Sequence, residues 1–113
     1  MGTVLPFPGP PKPGSSQVAF ERSELSRIVD LYGRMVAAGQ WKDYAIEIRP
    51  DAAAFWAFRR AAERPEFRIE KRPGARNGVW ALIGESGQIL KRGDELGPIL
   101  APLERKLLKL VGN

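Results

Sequence analysis

The chain contains no cysteine and no histidine. Without cysteine there is no disulfide, no thiolate nucleophile and no thiolate metal ligand. Without histidine there is no imidazole to act as acid or base near neutral pH, and Cys/His zinc sites are excluded as well. Packing and hydrogen bonds must hold the fold. Long apolar runs are also missing, since no window approaches the ~18 continuous apolar residues that a membrane helix requires. The opening Met1-Gly2-Thr3-Val4-Leu5-Pro6 has neither the basic nor the apolar stretch of a secretory signal. The expectation is a cytoplasmic protein with no membrane association.

Further catalytic hardware is absent. No Gly-rich phosphate loop ends in Lys-Ser/Thr. Gly84-Glu85-Ser86-Gly87 reads as a hairpin turn, not as a nucleophile elbow. Asp43, Glu47 and Asp51 are spread along a strand and its turn, whereas an all-oxygen Mg²⁺ or Ca²⁺ site needs clustered acids. No lysine sits in an apolar setting suited to covalent chemistry. A non-enzyme with no metal and no cofactor is expected.

What is present is one domain's worth of chain, 113 residues, 43% of them hydrophobic and 27% charged. The formal net charge is +5, and its placement is informative. Nine bases (Arg59, Arg60, Arg64, Arg68, Lys71, Arg72, Arg76, Lys91, Arg92) and four acids (Glu63, Glu66, Glu70, Glu85) fall between residues 59 and 92, so this segment carries the whole excess.

Residues 1–17 hold Pro6, Pro8, Pro10, Pro11 and Pro13 with Gly9, Gly14, Ser15 and Ser16. Such a stretch has too few apolar groups to offset its ordering entropy, so a disordered or polyproline-like tail is expected, with residues 18–113 as the single domain. Its PxxP spacings could dock on an aromatic groove, although a flexible tail is the favoured reading. Ser23 reads as an N-cap with Glu24 in the first turn. Leu25, Ile28, Val29, Tyr32, Met35 and Val36 then follow at helical spacing and Gly39 stops the run, which predicts a helix over 23–38. Gly33 within it suggests a close helix–sheet contact. From Lys42 the period becomes two, which predicts strands over 44–49, 53–60, 67–72, 79–84 and 88–91. The alanines around Phe55 and Trp56 keep helix open as a rival over 52–62. Asp94 can cap a last helix carrying Leu96, Ile99, Leu100, Leu103, Leu107 and Leu110, with a kink or break at Pro102 and a regular stretch over 102–111.

The predicted fold class is α+β, ordered α-β-β-β-β-β-α: a five-stranded antiparallel meander sheet with two helices packed on one face. Two helices of ~10 Å width cover one face of a sheet ~24 Å wide and leave the other open. Bulky rings point both ways from the middle strands, so the open face should mix arginines with aromatics. The candidate partner-binding residues are Arg49, Trp56, Phe58, Arg60, Arg68, Arg72, Arg76 and Trp80. Three uses of such a face compete. It could seat a protein partner or a second copy, because aromatics and arginine are enriched at interfaces. It could bind single-stranded nucleic acid, stacking bases on Trp56 or Phe58 and holding phosphates with Arg60, Arg68, Arg72 and Arg76. Or the rings could be enclosed and the arginines merely solvated.

The run Leu31-Tyr32-Gly33-Arg34-Met35-Val36-Ala37-Ala38-Gly39 stands out. It is followed by Trp41, Asp43-Tyr44-Ala45, Phe58-Arg59-Arg60-Ala61, Phe67-Arg68-Ile69-Glu70-Lys71 and Ile89-Leu90-Lys91-Arg92-Gly93. With these strings the chain, over about residues 18–110, resembles an uncharacterised family of small alphaproteobacterial proteins, a domain of unknown function. The resemblance implies a bacterial cytoplasmic protein. It implies no activity and brings no catalytic residues.

Overall fold

The computed structural model describes residues 3–4, 17–60 and 64–112. Most of the expected Pro-rich tail lies outside them. The element order is β1 (Thr3–Val4), α1 (Arg22–Ala37), β2 (Asp43–Ile48), β3 (Ala53–Phe58), β4 (Phe67–Lys71), β5 (Trp80–Gly84), β6 (Ile89–Gly93) and α2 (Leu96–Leu110). One sheet holds the strands in the order β1-β2-β3-β4-β5-β6. The strands β2 to β6 form the expected antiparallel meander. The short β1 adds a parallel edge, pairing Thr3 with Ala45 and Val4 with Ile46, which the sequence did not suggest.

Helix α1 starts at Arg22, with Glu21 as its N-cap in place of Ser23. The Glu24 carboxylate accepts the Glu21 backbone N–H at 2.8 Å, satisfying a donor that the helix cannot use. Gly39 ends the helix at φ 80°, where its lack of a side chain avoids strain. The buried stripe is Ile28, Leu31 and Met35, while Val29 and Val36 face solvent. Gly33 also lies on the exposed side, and a Cβ there would meet nothing within 4 Å. The close helix–sheet contact inferred for it does not exist.

The segment 53–58 is a strand, and the helical rival is removed. Its period-two pattern puts Ala53, Phe55 and Ala57 on one side, in register with Ile46 on β2 and Ile69 on β4. Leu82 on β5 completes that row. Both helices pack on this face, and Ile28, Leu31, Met35, Ile46, Phe55, Ile69, Leu82, Ile99, Leu100 and Leu103 make the core. Rings knit the layer together: Tyr44 stacks on Phe55 with centroids 5.3 Å apart, and Tyr32 meets Tyr44 edge-on at 5.0 Å.

Helix α2 differs from expectation. It begins at Leu96, after Glu95 and not Asp94, and runs through Pro102 without a break. Proline there forfeits a backbone hydrogen bond. Leu96, Ile99 and Leu100 before it and Leu103 and Leu107 after it are all buried on the same sheet. Each such side chain contributes roughly 1.5–3 kcal/mol, so packing on both sides outweighs the local defect.

Candidate functional site

The face of the sheet away from the helices has no described element over it. Strand register lays its side chains in rows. The central row runs Ala45, Trp56, Arg68, Ile83 and Ile89 across β2 to β6. The next runs Glu47, Ala54, Glu70, Ala81 and Arg92. Ala54 and Ala81 are buried at the bottom of this row, so the long side chains beside them stand up as rims.

Trp56 and Phe58 are partly exposed and lie 6.4 Å apart, ring to ring. The Arg68 guanidinium sits over the Trp56 ring, 5.8 Å from its centroid. At this distance the cation is attracted by the negative face of the indole. Among the described residues, two buried side-chain nitrogens have no hydrogen-bond partner, and they are Trp56 Nε1 and Arg68 Nε. They belong to directly opposed residues on adjacent strands. Each is a donor only, so an acceptor oxygen is what the pair lacks.

The remaining expected residues scatter. Arg49 and Arg72 border the open face at its lower end, but both are engaged with acids. Arg72 Nη1 donates to Asp51 Oδ2 at 2.8 Å and its Nη2 lies 3.4 Å from Glu70. Arg49 lies 3.6 Å from Glu47 and 3.7 Å from Asp51. The Arg72 hydrogen bond holds the Asp51 carboxyl below its ordinary pKa. The hydrogen bonds to Glu70 and Asp51 push Arg72 higher still. Arg60 lies exposed beyond the end of β3, and Arg76 lies exposed in the loop between β4 and β5. Trp80 does not join the open face expected of it. The pleat sends it to the helix side, where it is buried, stacked 6.0 Å from Phe20 and capped by the Lys71 ammonium at 5.8 Å. It belongs to the core.

The structure adds a residue that sequence patterning missed. Glu66 is the one buried charged side chain among the described residues, 8% exposed. Its carboxylate accepts Trp41 Nε1 at 2.7 Å and Gln40 Nε2 at 2.8 Å, and Arg59 and Lys106 approach to 3.6 and 3.5 Å. Those partners come from the end of α1, the end of β3 and α2. A carboxylate with this many donors is a clamp between elements, because the cost of burying the charge is met by bonds that only the folded chain assembles. The signal in the sequence was Trp41: a buried indole N–H needs an acceptor.

The fold and this surface define the class: an α+β domain with one helix-covered sheet face and one open face, the open face carrying a Trp–Arg stack between balanced charges. The family model described as "Protein of unknown function (DUF2794)" matches residues 18–100, so the chain belongs to that family. The match takes in α1, β2 to β6 and the start of α2, together with every candidate residue above. No curated protein and no solved structure matches the chain. Among the described residues, no helix is long and apolar enough to cross a membrane.

Proposed function

We propose that the chain is a non-enzymatic interaction module whose open sheet face docks a protein surface, the favoured occupant being a second copy of the chain. The observation that carries this is the pair of buried donors without acceptors, Trp56 Nε1 and Arg68 Nε, on the face that no described helix covers. Buried polar groups are nearly always satisfied, and an exception calls for an explanation, whether strain, a bound water or ion, or a docked surface. A docked surface supplies the carbonyl or carboxylate oxygen that the pair lacks.

Charge favours a copy of the same face. Along the outer rows and their lower border stand four acids (Asp43, Glu47, Asp51, Glu70) and four bases (Arg49, Arg68, Arg72, Arg92). A two-fold interface must be complementary to itself, and a face on which acids and bases balance meets that condition. The same balance weighs against single-stranded nucleic acid, which remains the alternative. Arg72, one of the bases that would grip phosphate, is already committed to Asp51 and Glu70.

Size sets the strength. Five strands at about 4.8 Å and five residues at about 3.4 Å give a footprint of roughly 400 Å², smaller than the ~800 Å² per partner of a stable interface. The association should be weak and reversible. A concentration series of amide NMR spectra tests it. The signals of Ala45, Glu47, Trp56, Arg68 and Ile83 should shift together on concentration while those of α1 stay fixed. Moderate added salt should change the shifts little. A steeply salt-dependent shift on adding single-stranded RNA, with none on concentration, supports the nucleic-acid alternative instead.

A further inference from the structure

Strand β6 offers a second surface at its free edge, although its Ile89 and Arg92 also end rows of the open face. Among the described residues it pairs only with β5, so its other edge offers backbone donors and acceptors to an added strand. Its two apolar side chains are unusually open, Ile89 being 52% and Leu90 46% exposed. The register explains the second of these. Leu82 faces Lys91 and Ile83 faces Ile89, so Leu90 is the extra residue of a bulge. Next come Lys91, opposite a helix-side residue of β5, and Arg92, opposite an outer-side one. Arg76 stands on the loop that closes against the strand's end, where a Cβ on Gly78 would come within 2.8 Å of Gly93. None of these three cations is held by an acid among the described residues. The nearest acids in sequence, Asp94 and Glu95, lie past the strand at the start of α2.

A bulge and a lysine are devices that stop an edge from pairing indiscriminately. They also select what can pair. The antiparallel two-fold register that overlaps all five residues is centred on Lys91 and sets it opposite its own copy, which like-charge repulsion disfavours. A strand carrying acids meets no such penalty. We infer that β6 is a docking edge for an extended acidic segment of a partner protein. That segment adds a strand to the sheet, with two consecutive acids beside Lys91 and Arg92 and apolar residues beside Leu90 and Ile89. Backbone bonds supply the affinity, and the side chains set the sequence read.

The test uses the full chain and a synthetic peptide containing Asp-Glu-Val-Ile, with Lys-Lys-Val-Ile as control. The acidic peptide should slow hydrogen exchange of the amides of residues 89–93 and shift their NMR signals, and the basic one should not. The variant Lys91→Glu, at an exposed residue outside the open-face rows, should leave the melting temperature unchanged, bind the acidic peptide about tenfold more weakly and gain affinity for the basic one. Three results overturn the inference: no slowing at β6 with the acidic peptide, equal binding after charge reversal, or signal shifts confined to Trp56 and its neighbours. The last would assign acidic peptides to the open face and leave the interaction module itself standing.

Discussion

Arg68 and Trp56 face each other across β4 and β3, cation over ring, and each buries a nitrogen that donates to nothing. An arrangement that leaves two donors unmet stabilises the free chain less than an apolar pair would. Arg68→Met keeps the aliphatic stem on the indole and removes one unmet donor. Its stability in urea should equal or exceed the wild type by up to about 1 kcal/mol, while concentration-dependent shifts at the open face diminish. A loss above about 1 kcal/mol would mean that the guanidinium is already satisfied.

Glu66 behaves oppositely. Glu66→Ala leaves Trp41 Nε1 and Gln40 without their acceptor and Arg59 and Lys106 without a counter-charge. A cost of roughly 2–4 kcal/mol is expected in chemical denaturation. Glu66→Gln keeps an acceptor but loses the charge, so its cost should be smaller. Equal stability of all three proteins would show that the clamp is not needed.

Two glycines separate space from backbone conformation. Gly33→Ala, on an exposed helical face with nothing near the new methyl, should stabilise by up to ~1 kcal/mol. Gly78→Ala, at φ 118° and with its Cβ 2.8 Å from the backbone of Gly93, should destabilise by roughly 1–3 kcal/mol. Thermal melts of the pair should move in opposite directions.

Acid should release the Asp51–Arg72 pair. Because Asp51 has a lowered carboxyl pKa in the folded state, its contribution is present above the ordinary carboxylate value of about 3.9 and is lost as pH falls through the lower folded value. The stability gap between wild type and Asp51→Asn should therefore be flat near neutral pH and close in acid. A gap that widens in acid would contradict the assignment.

The meander and its single helical layer were legible because period-two runs such as Tyr44, Ile46 and Ile48 alternate cleanly, and because two helices cannot cover two faces. The direction of each ring was not. Phe55 and Trp56 are consecutive and so must point opposite ways, but only register against Ile46 and Ile69 fixes which one meets the helices. Trp80 was placed on the wrong side of that choice, and Phe20, which covers it, lies before the first helix. Pro102 does not break α2, against the local rule, because five buried side chains hold the helix on both sides of it. Glu66 was hidden because its partners lie 7, 25, 26 and 40 residues away.

Sedimentation equilibrium bears most directly on the open face as a self-docking surface. At concentrations rising to about 1 mM, where an association worth about 4 kcal/mol is half complete, the wild type should pass from monomer to dimer. Trp56→Ala, still folded by circular dichroism, should remain monomeric. A wild type that stays monomeric throughout, or a variant that dimerises as readily, contradicts the account.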